Sequence, residues 1–199
     1  MSSFYPFVPE KSISILQAWI DDLDVTIKIL NPRKTKLGDF KVRDNKLVIT
    51  INNNLNQYSF LITLTHELSH AFVFKKYQNN VKAHGAIWQS TFKSLMLNFL
   101  TPDYFPDDIL KVLSKHMISP TASTFTDFTL AEVLRKYNQV NTVVLLDLNL
   151  GQSFQIPNGR VFVKGKKRRT RYRCIEVKTN KVYLFSPFAE VINTSKLYS

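Results

Sequence analysis

The spacing of apolar residues in the first part of the chain predicts one helix followed by three strands. Apolar residues recur every three to four positions between residues 9 and 23, as on the buried face of a helix. Three short runs with strand-like patterns follow, and residues 25–30 show the alternation of a strand. The predicted strands cover residues 25–30, 37–42 and 46–52.

Two longer helices are predicted in the middle of the chain. No proline or glycine interrupts residues 57–77. This segment carries an apolar stripe at helical spacing, formed by Leu61, Leu64, Leu68 and Phe72. A second such stripe lies between His84 and Leu100 and consists of Trp88, Phe92, Leu95, Met96 and Phe99. Shorter helices are predicted over residues 106–116 and 130–137.

The pattern changes in the last third of the chain. Residues 117–127 are rich in serine, threonine and proline, which is typical of a connector. From residue 143 onward, short apolar runs alternate with turn signals at Pro157-Asn158-Gly159 and Thr179-Asn180-Lys181. We therefore predict an α+β protein with a larger domain over residues 1–120, a connector with a short helix over 121–142, and an antiparallel β-module over 143–199.

The candidate chemistry lies in the sequence His66-Glu67-Leu68-Ser69-His70 within the first long helix. Residues four apart share one face of a helix, so both imidazoles can bind one metal ion, with Glu67 placed as a general base. The chain contains four histidines, so a shuffled chain would carry this pattern on the order of 0.002 times. The alternative is a surface helix that carries two histidines by chance.

A third protein ligand is needed if a zinc ion is to keep one coordination position open. The extended motif of one large class of zinc proteases is excluded, because its glycine and histidine positions hold Val73 and Lys76. Glu132 is one candidate, and His84 is the better one, since it opens the second long helix. The alternative for His84 is a cap or loop histidine. We interpret His116, near the end of a short helix, as structural.

The spacing of His66-Glu67-x-x-His70 and His84-Gly85-x-x-Trp88 resembles that of the SprT-like zinc metalloprotease domain. The two strands at Leu37–Phe40 and Leu47–Ile51 fit the same family, and the resemblance covers about residues 8–116. It implies a zincin-like fold with a small mixed sheet. It also implies Zn²⁺ bound by the three histidines and Glu67 as the catalytic base.

The resemblance has limits that bear on function. Relatives often end in a zinc ribbon built from four cysteines, whereas this chain has only Cys174 and cannot assemble a second zinc site in that way. The family includes Spartan, which degrades proteins crosslinked to DNA, and substrates of that type are therefore expected. The peptide substrate is expected to add as a strand beside residues 47–52.

The net charge of +12 is concentrated near the C-terminus, because residues 151–199 contribute +9 of it. Six cations form the core of this region and are predicted to contact DNA without sequence specificity: Lys166, Lys167, Arg168, Arg169, Arg171 and Arg173. A strand over residues 168–177 would place Arg169, Arg171 and Arg173 on one face, with Tyr172 and Cys174 on the other.

The aromatic residues near these cations, Phe162, Tyr183 and Phe185, would suit base stacking. The alternative is a solvated edge strand whose charge prevents aggregation.

Three functions remain open on the sequence. The first is a zinc protease that acts on DNA-associated proteins; the second is a zinc peptidase without a nucleic-acid role. The third is a non-catalytic nucleic-acid-binding protein stabilised by zinc. One cysteine, no signal-peptide pattern at the N-terminus and no apolar run of about eighteen residues predict a cytoplasmic protein without a membrane partner, and one that can associate with the nucleoid.

Overall fold

The computed structural model describes residues 3–33, 36–121, 127–138 and 142–194. The chain divides into two compact units, Met1–Gln139 and Val140–Ser199. The first unit is mixed α and β, and the second contains an antiparallel sheet. The prediction of an α+β protein is thereby confirmed. None of the helices in the described part of the chain is long and apolar enough to cross a bilayer.

The first unit begins with two short 3₁₀ turns and the helix α1. Its elements are α1 (Ile13–Leu23), β1 (Val25–Leu30), β2 (Gly38–Arg43), β3 (Lys46–Asn52), α2 (Gln57–Tyr77), α3 (Ala86–Leu97), α4 (Asp107–His116) and α5 (Phe128–Arg135). The predicted helices and strands occur with boundaries shifted by a few residues. Helix α5 packs against α4 within this unit, and the predicted domain limits at 120 and 142 stay predictions.

The sheet of the first unit has the order β1-β3-β2. Strand β3 pairs in parallel with β1 and antiparallel with β2, and its residues Ile49 and Ile51 are fully buried. The predicted substrate edge at residues 47–52 is therefore wrong, because β3 is the central strand and has hydrogen-bonded neighbours on both sides. The tight turn at Asp44 and Asn45, both with positive φ, folds β2 back onto β3 and leaves β2 at the edge.

Helix α2 is the central helix of the first unit. Its N-terminus is capped by Asn56, whose side chain accepts a hydrogen bond from the Ser59 backbone N–H at 2.9 Å. The helix buries residues on most of its circumference, as expected for a helix surrounded by other elements. It packs against α1, α3, β2 and β3. Any side chain of α2 that carries chemistry therefore lies next to buried neighbours.

The second unit contains β4 (Ser153–Gln155), β5 (Val161–Arg168), β6 (Arg171–Glu176), β7 (Val182–Phe185) and β8 (Ile192–Asn193). The strands form one antiparallel sheet in the order β7-β6-β5-β4-β8. The turns between β4 and β5 and between β6 and β7 lie at the predicted turn signals. Its core consists of Leu145, Leu148, Phe154, Phe162, Cys174 and Val191.

The prediction of a continuous strand over residues 168–177 is wrong. Strand β5 ends at Arg168, and Arg169 and Thr170 form the turn to β6, with Arg169 in the left-handed region at φ 43°. A two-residue hairpin turn needs positive φ, and this turn interrupts the alternation on which the prediction depended. Arg169 therefore does not share a strand with Arg171 and Arg173.

Candidate metal centre

Helix α2 and the turn before α3 bring three imidazoles to one point. His66 and His70 lie one helical turn apart, and their Nε2 atoms are 3.2 Å from each other. The Nε2 atom of His84 lies 2.9 Å from that of His70 and 3.3 Å from that of His66. These three form a group able to hold a metal ion, and no other such group of histidine, cysteine or acidic residues occurs in the described part of the chain.

His84 reaches this point from an unusual backbone conformation. It has φ 57°, in the left-handed region that non-glycine residues rarely adopt. The Gly85 backbone N–H donates to the Lys82 carbonyl at 3.0 Å and closes the tight turn, and α3 begins at the next residue. A conformation of this kind costs about 1–3 kcal/mol and persists only where the surrounding structure holds it in place. The alternative assignment of His84 as an ordinary cap or loop residue does not explain why its ring joins the other two.

Trp88 on α3 forms a wall behind the three rings. Its ring centroid lies 4.6 Å from that of His66, 5.3 Å from that of His70 and 4.6 Å from that of His84. Trp88 stacks in turn on Phe92, at 5.1 Å, and both are almost fully buried. The sequence pattern marked Trp88 only by its spacing from His84. Its contact with all three imidazoles, which restricts their orientation, became evident only from the tertiary structure.

Burial keeps the three histidines neutral. It lowers the pKa of His66 to about 3 and that of His70 to about 4, with a further lowering by the neighbouring imidazoles. The pKa of His84 is lowered by burial as well. Neutral imidazole is the form that binds a metal, so the protons do not compete for the nitrogen lone pairs near neutral pH.

The donor set fits a zinc ion. Zinc–nitrogen bonds of about 2.0–2.1 Å in tetrahedral geometry separate the ligand nitrogens by about 3.3 Å. The observed separations of 2.9–3.3 Å are close to that value. Glu132 on α5 is exposed and is not part of this group. The Nδ1 atom of His116 lies 2.9 Å from Asp127 Oδ2, which ties α4 to the N-terminus of α5, as expected for a structural histidine.

Glu67 lies between the histidines and the edge strand β2. It is 7% exposed, and burial raises the pKa of its carboxyl group to about 8. The negative charge of Asp39 acts in the same direction, while the Phe40 backbone N–H and the cations Arg33 and Lys36 partly offset it. A carboxylate with a pKa near neutral pH can both accept and return a proton.

Strand β2 lies against Glu67 at Gly38. A Cβ atom at this position would lie 2.7 Å from Glu67 Oε1 and 2.8 Å from Thr63 Cγ2, distances that side chains do not tolerate. Glycine is therefore required here because the strand backbone lies directly against the carboxyl group. Nothing in the sequence pattern distinguishes this glycine from one in an ordinary strand.

Arg33 holds the start of β2 in this position. Its Nε donates to Asn52 Oδ1 at 2.8 Å and its Nη1 to Thr50 Oγ1 at 2.9 Å, both on β3. Its Nη2 donates to the Leu37 carbonyl, at 3.3 Å, next to Gly38. The guanidinium group thus links the chain before β2 to the central strand. Sequence reasoning did not identify Arg33, since a single arginine in a loop carries no periodic signal.

The replacement Gly38→Ala is expected to lower the turnover of the proposed peptidase reaction by about 10²-fold, because displacing a reacting group by about 1 Å costs this much. Zinc affinity should be unchanged, since the imidazoles do not contact Gly38. The measurement is kcat and KM together with zinc content. In a Glu67→Gln background, Gly38→Ala should cause no further loss, because both changes act on one carboxyl group.

Gly151→Ala is the control for a glycine replacement that strains the backbone away from Glu67, since Gly151 has φ 83° and a Cβ there meets no atom within 4 Å. Equal losses in Gly38→Ala and Gly151→Ala would mean that the glycine serves the fold and not Glu67.

The six cations that the sequence suggested for DNA contact lie together in the β5–β6 hairpin of the second unit, and all are exposed. The aromatic residues named with them do not share their surface. Phe162 is fully buried, and Tyr183 and Phe185 pack against the core of this unit. The predicted stacking surface is therefore wrong, because the aromatic rings lie on the core side of the sheet.

The metal centre lies inside a recognisable domain. Residues 17–108 match the model of the SprT-like family, a segment that spans β1 to α3 and contains Glu67 and all three histidines. No curated protein and no solved structure matches the chain. The match supports a metallopeptidase-like, metal-binding domain. The chain therefore carries, at residues 17–108 of its first unit, a domain of the SprT-like family.

Proposed function

We propose that this chain is a zinc-dependent endopeptidase of the SprT-like, zincin-like type whose substrates are proteins associated with DNA, including proteins crosslinked to it. The observation that carries the proposal is the convergence of three neutral Nε2 atoms beside a buried carboxyl group of raised pKa. His66, His70 and His84 hold Zn²⁺, and Glu67 is the general base. A cytoplasmic location, including the nucleoid, is part of the proposal, since the single cysteine is free.

The chain's own groups account for the proton transfers. A bound zinc ion supplies Lewis acidity, which activates a water and polarises the scissile carbonyl. Glu67 accepts the proton of the attacking water and then delivers it to the leaving amine. In the metal-free chain burial raises the pKa of this carboxyl group to about 8, which favours the protonated form needed for the second step, whereas the charge of a bound zinc ion would favour the carboxylate needed for the first. Trp88 and Phe92 keep bulk water from the back of the site.

The free edge of β2 is the proposed substrate-binding edge, in place of β3. Among the residues that the structure describes, strand β2 pairs only with β3, and its Gly38 lies against Glu67. An extended peptide that adds to this edge forms main-chain hydrogen bonds, which bind many sequences with similar affinity. It would place successive peptide groups along the strand that borders the base. Residues 41–43 of β2 are exposed and leave this edge accessible.

The DNA part of the proposal is supported by charge. The region 151–199 contributes +9 of the net charge of +12, and its exposed cations are concentrated in one hairpin. A zinc peptidase without nucleic acid is the second candidate, in which the same charge attracts acidic proteins. A purely structural zinc site is less consistent with the molecule, because a buried carboxyl group such as Glu67 is costly and a structural site has no use for it.

The test is cleavage of a DNA-binding protein by the full chain, with and without DNA, in the presence of zinc or of a chelator. Cleavage is expected only with zinc and is expected to increase at least about 10-fold with DNA, because shared binding raises the effective concentration of substrate. Equal cleavage with and without DNA would support a zinc peptidase and contradict the proposal that its substrates are associated with DNA. Absence of cleavage in every condition would overturn the peptidase.

A further inference from the structure

We infer that the tip of the β5–β6 hairpin is a two-stranded β-ribbon that binds double-stranded DNA by entering its major groove. The inference concerns the kind of nucleic acid and rests on the DNA part of the proposed function. It is independent of peptide cleavage, since binding can be measured on a chain that does not cleave. Ribbon shape, arginine placement and the direction of the aromatic side chains support it.

The hairpin extends beyond both of its neighbouring strands. Strand β4 pairs with β5 only at residues 161–163, and the last backbone hydrogen bonds on that side involve Lys164. On the other side, β7 pairs with β6 from Tyr172 onward. Within the described part of the chain, the Arg168–Arg171 pair and the turn at Arg169 and Thr170 therefore lie beyond both neighbouring strands, while Lys167 pairs with Tyr172, which also pairs with β7. B-form DNA has a major groove about 12 Å wide, which admits a two-stranded ribbon of this kind.

Three arginines share the outward face of the ribbon. Arg168 lies directly opposite Arg171 in the strand register, and Arg173 follows two residues later on the same face as Arg171. All three are exposed, while Cys174 on the opposite face is buried. The predicted set of three had Arg169 in place of Arg168. Like charges directly opposite each other on a sheet are destabilising, so this arrangement is not one that the fold requires.

Two of the three acidic side chains of the second unit are engaged elsewhere. Glu176 accepts a hydrogen bond from Arg160 Nε at 2.7 Å, and Asp147 Oδ2 accepts one from the Val144 backbone N–H at 3.0 Å. Among the described residues, no ion pair involves Arg168, Arg171 or Arg173. The three guanidinium groups are thus available to an anion from outside the chain, and their planar forks suit phosphate and guanine.

A β-bulge places Arg168 on this face. The strand register shifts between Lys164 and Lys167, so two residues of β5 lie opposite one residue of β6. In a regular ladder, Lys167 would lie opposite Arg171. Gly165 permits the bulge, because a Cβ atom there would overlap the Arg173 carbonyl oxygen. The bulge thereby exchanges a lysine for an arginine beside Arg171 and increases the twist of the ribbon.

The inward side of the same hairpin is anchored in the core. Lys164 is 4% exposed, and its Nζ donates to the Leu148 carbonyl at 2.6 Å and lies 4.1 Å from the centre of the Tyr172 ring. Tyr172, Tyr183 and Phe185 pack against the core beside Cys174. The arginine face therefore offers guanidinium groups without aromatic rings. Proteins that bind single strands stack bases on aromatic side chains, so this face suits a duplex better.

The two-stranded shape of the hairpin also favours a DNA duplex over an RNA duplex. A-form RNA has a deep, narrow major groove that protein elements do not enter, whereas B-form DNA admits a ribbon. We expect duplex DNA to bind more tightly than single-stranded DNA and more tightly than duplex RNA of the same sequence and length. The expected difference is at least about 10-fold in Kd at moderate salt, where non-specific phosphate contacts are weakened.

The experiment is a fluorescence anisotropy titration of the full chain carrying Glu67→Gln, so that cleavage does not interfere. The probes are a 20-base-pair DNA duplex, one of its strands, and the matching RNA duplex. The ribbon variant is Arg168→Gln/Arg171→Gln. The control variant is Lys178→Gln/Lys181→Gln, which removes two exposed cations from the β6–β7 turn of the same unit.

The ribbon variant should weaken duplex DNA binding by at least about 10-fold and lower the slope of log affinity against log salt by about 2, one for each lost phosphate contact. The control variant should change affinity by less than about 3-fold. Thermal unfolding should show no loss of stability in the ribbon variant, because it removes a like-charge pair.

Three results would overturn the inference that the hairpin binds duplex DNA. They are tighter binding of the single strand, equal binding of the RNA duplex, and equal losses of affinity in both variants. None of these results would affect the peptidase proposal, which is decided by cleavage.

Discussion

Glu67→Gln is expected to lower kcat/KM for peptide cleavage by about 10³-fold or more while zinc remains bound. General acid–base catalysis contributes about 10²–10⁴-fold, and glutamine preserves the shape of the side chain without its proton transfer. The carboxyl group does not belong to the group of three convergent imidazoles, so its loss should leave zinc content near that of the unaltered chain. The measurement is cleavage rate and zinc stoichiometry on the same preparations.

Glu132→Gln is the matched control, because it replaces the same type of side chain at an exposed position on α5. It should retain activity, which also tests the alternative that Glu132 is a zinc ligand. Unchanged cleavage in Glu67→Gln would rule out Glu67 as the base. It would favour a non-catalytic zinc protein.

The stability of the same variant provides a check on the environment of Glu67. In the metal-free chain its pKa of about 8 lies above the ordinary value of 4.5. A raised pKa in the folded state means that the stabilising contribution is present below about pH 4.5 and is lost as pH rises through about 8. Glu67→Gln should therefore raise the unfolding temperature of metal-free protein at pH 9 relative to the unaltered chain. At pH 5 the pH-linked part of that difference should be small.

The replacement His84→Ala is expected to weaken zinc binding by at least about 10³-fold and to abolish cleavage. Two imidazoles on one helix supply too few ligands for a stable site that also holds a water. The same loss should follow from chelation. Because a ligand that binds only the folded state stabilises it, removal of zinc should lower the unfolding temperature of the unaltered chain. In His84→Ala, addition of zinc should have no such effect.

His116→Ala is the control for histidine loss. This residue is buried and paired with Asp127, outside the group of three. It should retain zinc while unfolding at a lower temperature, since it connects α4 to α5. Full zinc content in His84→Ala would contradict the assignment of the metal site.

The pH dependence of zinc binding distinguishes this site from exposed histidines. The pKa values of His66 and His70 are lowered to about 3 and about 4, from an ordinary value of 6.5. Protonation should therefore reduce zinc affinity only slightly between pH 7 and about 5. The metal-free fold should be fully stable above about pH 6.5, as far as these groups are concerned, and should lose stability as pH falls toward about 3. The unfolded chain binds more protons in that range.

Local order could be predicted from the sequence because it depends on neighbours along the chain. A separation of four residues places His66 and His70 on one face of any helix, and the absence of proline and glycine makes α2 continuous. Alternation and turn residues likewise predicted the three strands of the first unit and the antiparallel character of the second, but not the bounds of the strands in the second unit. His84 was identified by its spacing, and the structure brings its ring to the other two. Each of these features is a property of a short segment.

Tertiary structure alone decided which segments meet. Strand β3 became central because β1 and β2 both pair with it, and no pattern within residues 46–52 specifies its neighbours. The turn at Arg169 and the bulge at Gly165 depend on the pairing of β5 with β6, and they exchanged Arg169 for Arg168 on the outward face. A shift of one residue moves a side chain to the other face of a sheet, so small errors in turn position reverse such predictions.

The surroundings of the candidate site were likewise decided by the tertiary structure. The sequence by itself determined the three imidazoles, the adjacent carboxyl group and a basic C-terminal region. The contact of Gly38 with Glu67, the Trp88 wall and the inward direction of the aromatic residues in the second unit depended on packing between distant segments. Periodicity along the chain reports which face of an element is apolar. The partner that covers that face is selected by the free energy of the whole fold, and only the assembled structure contains that information.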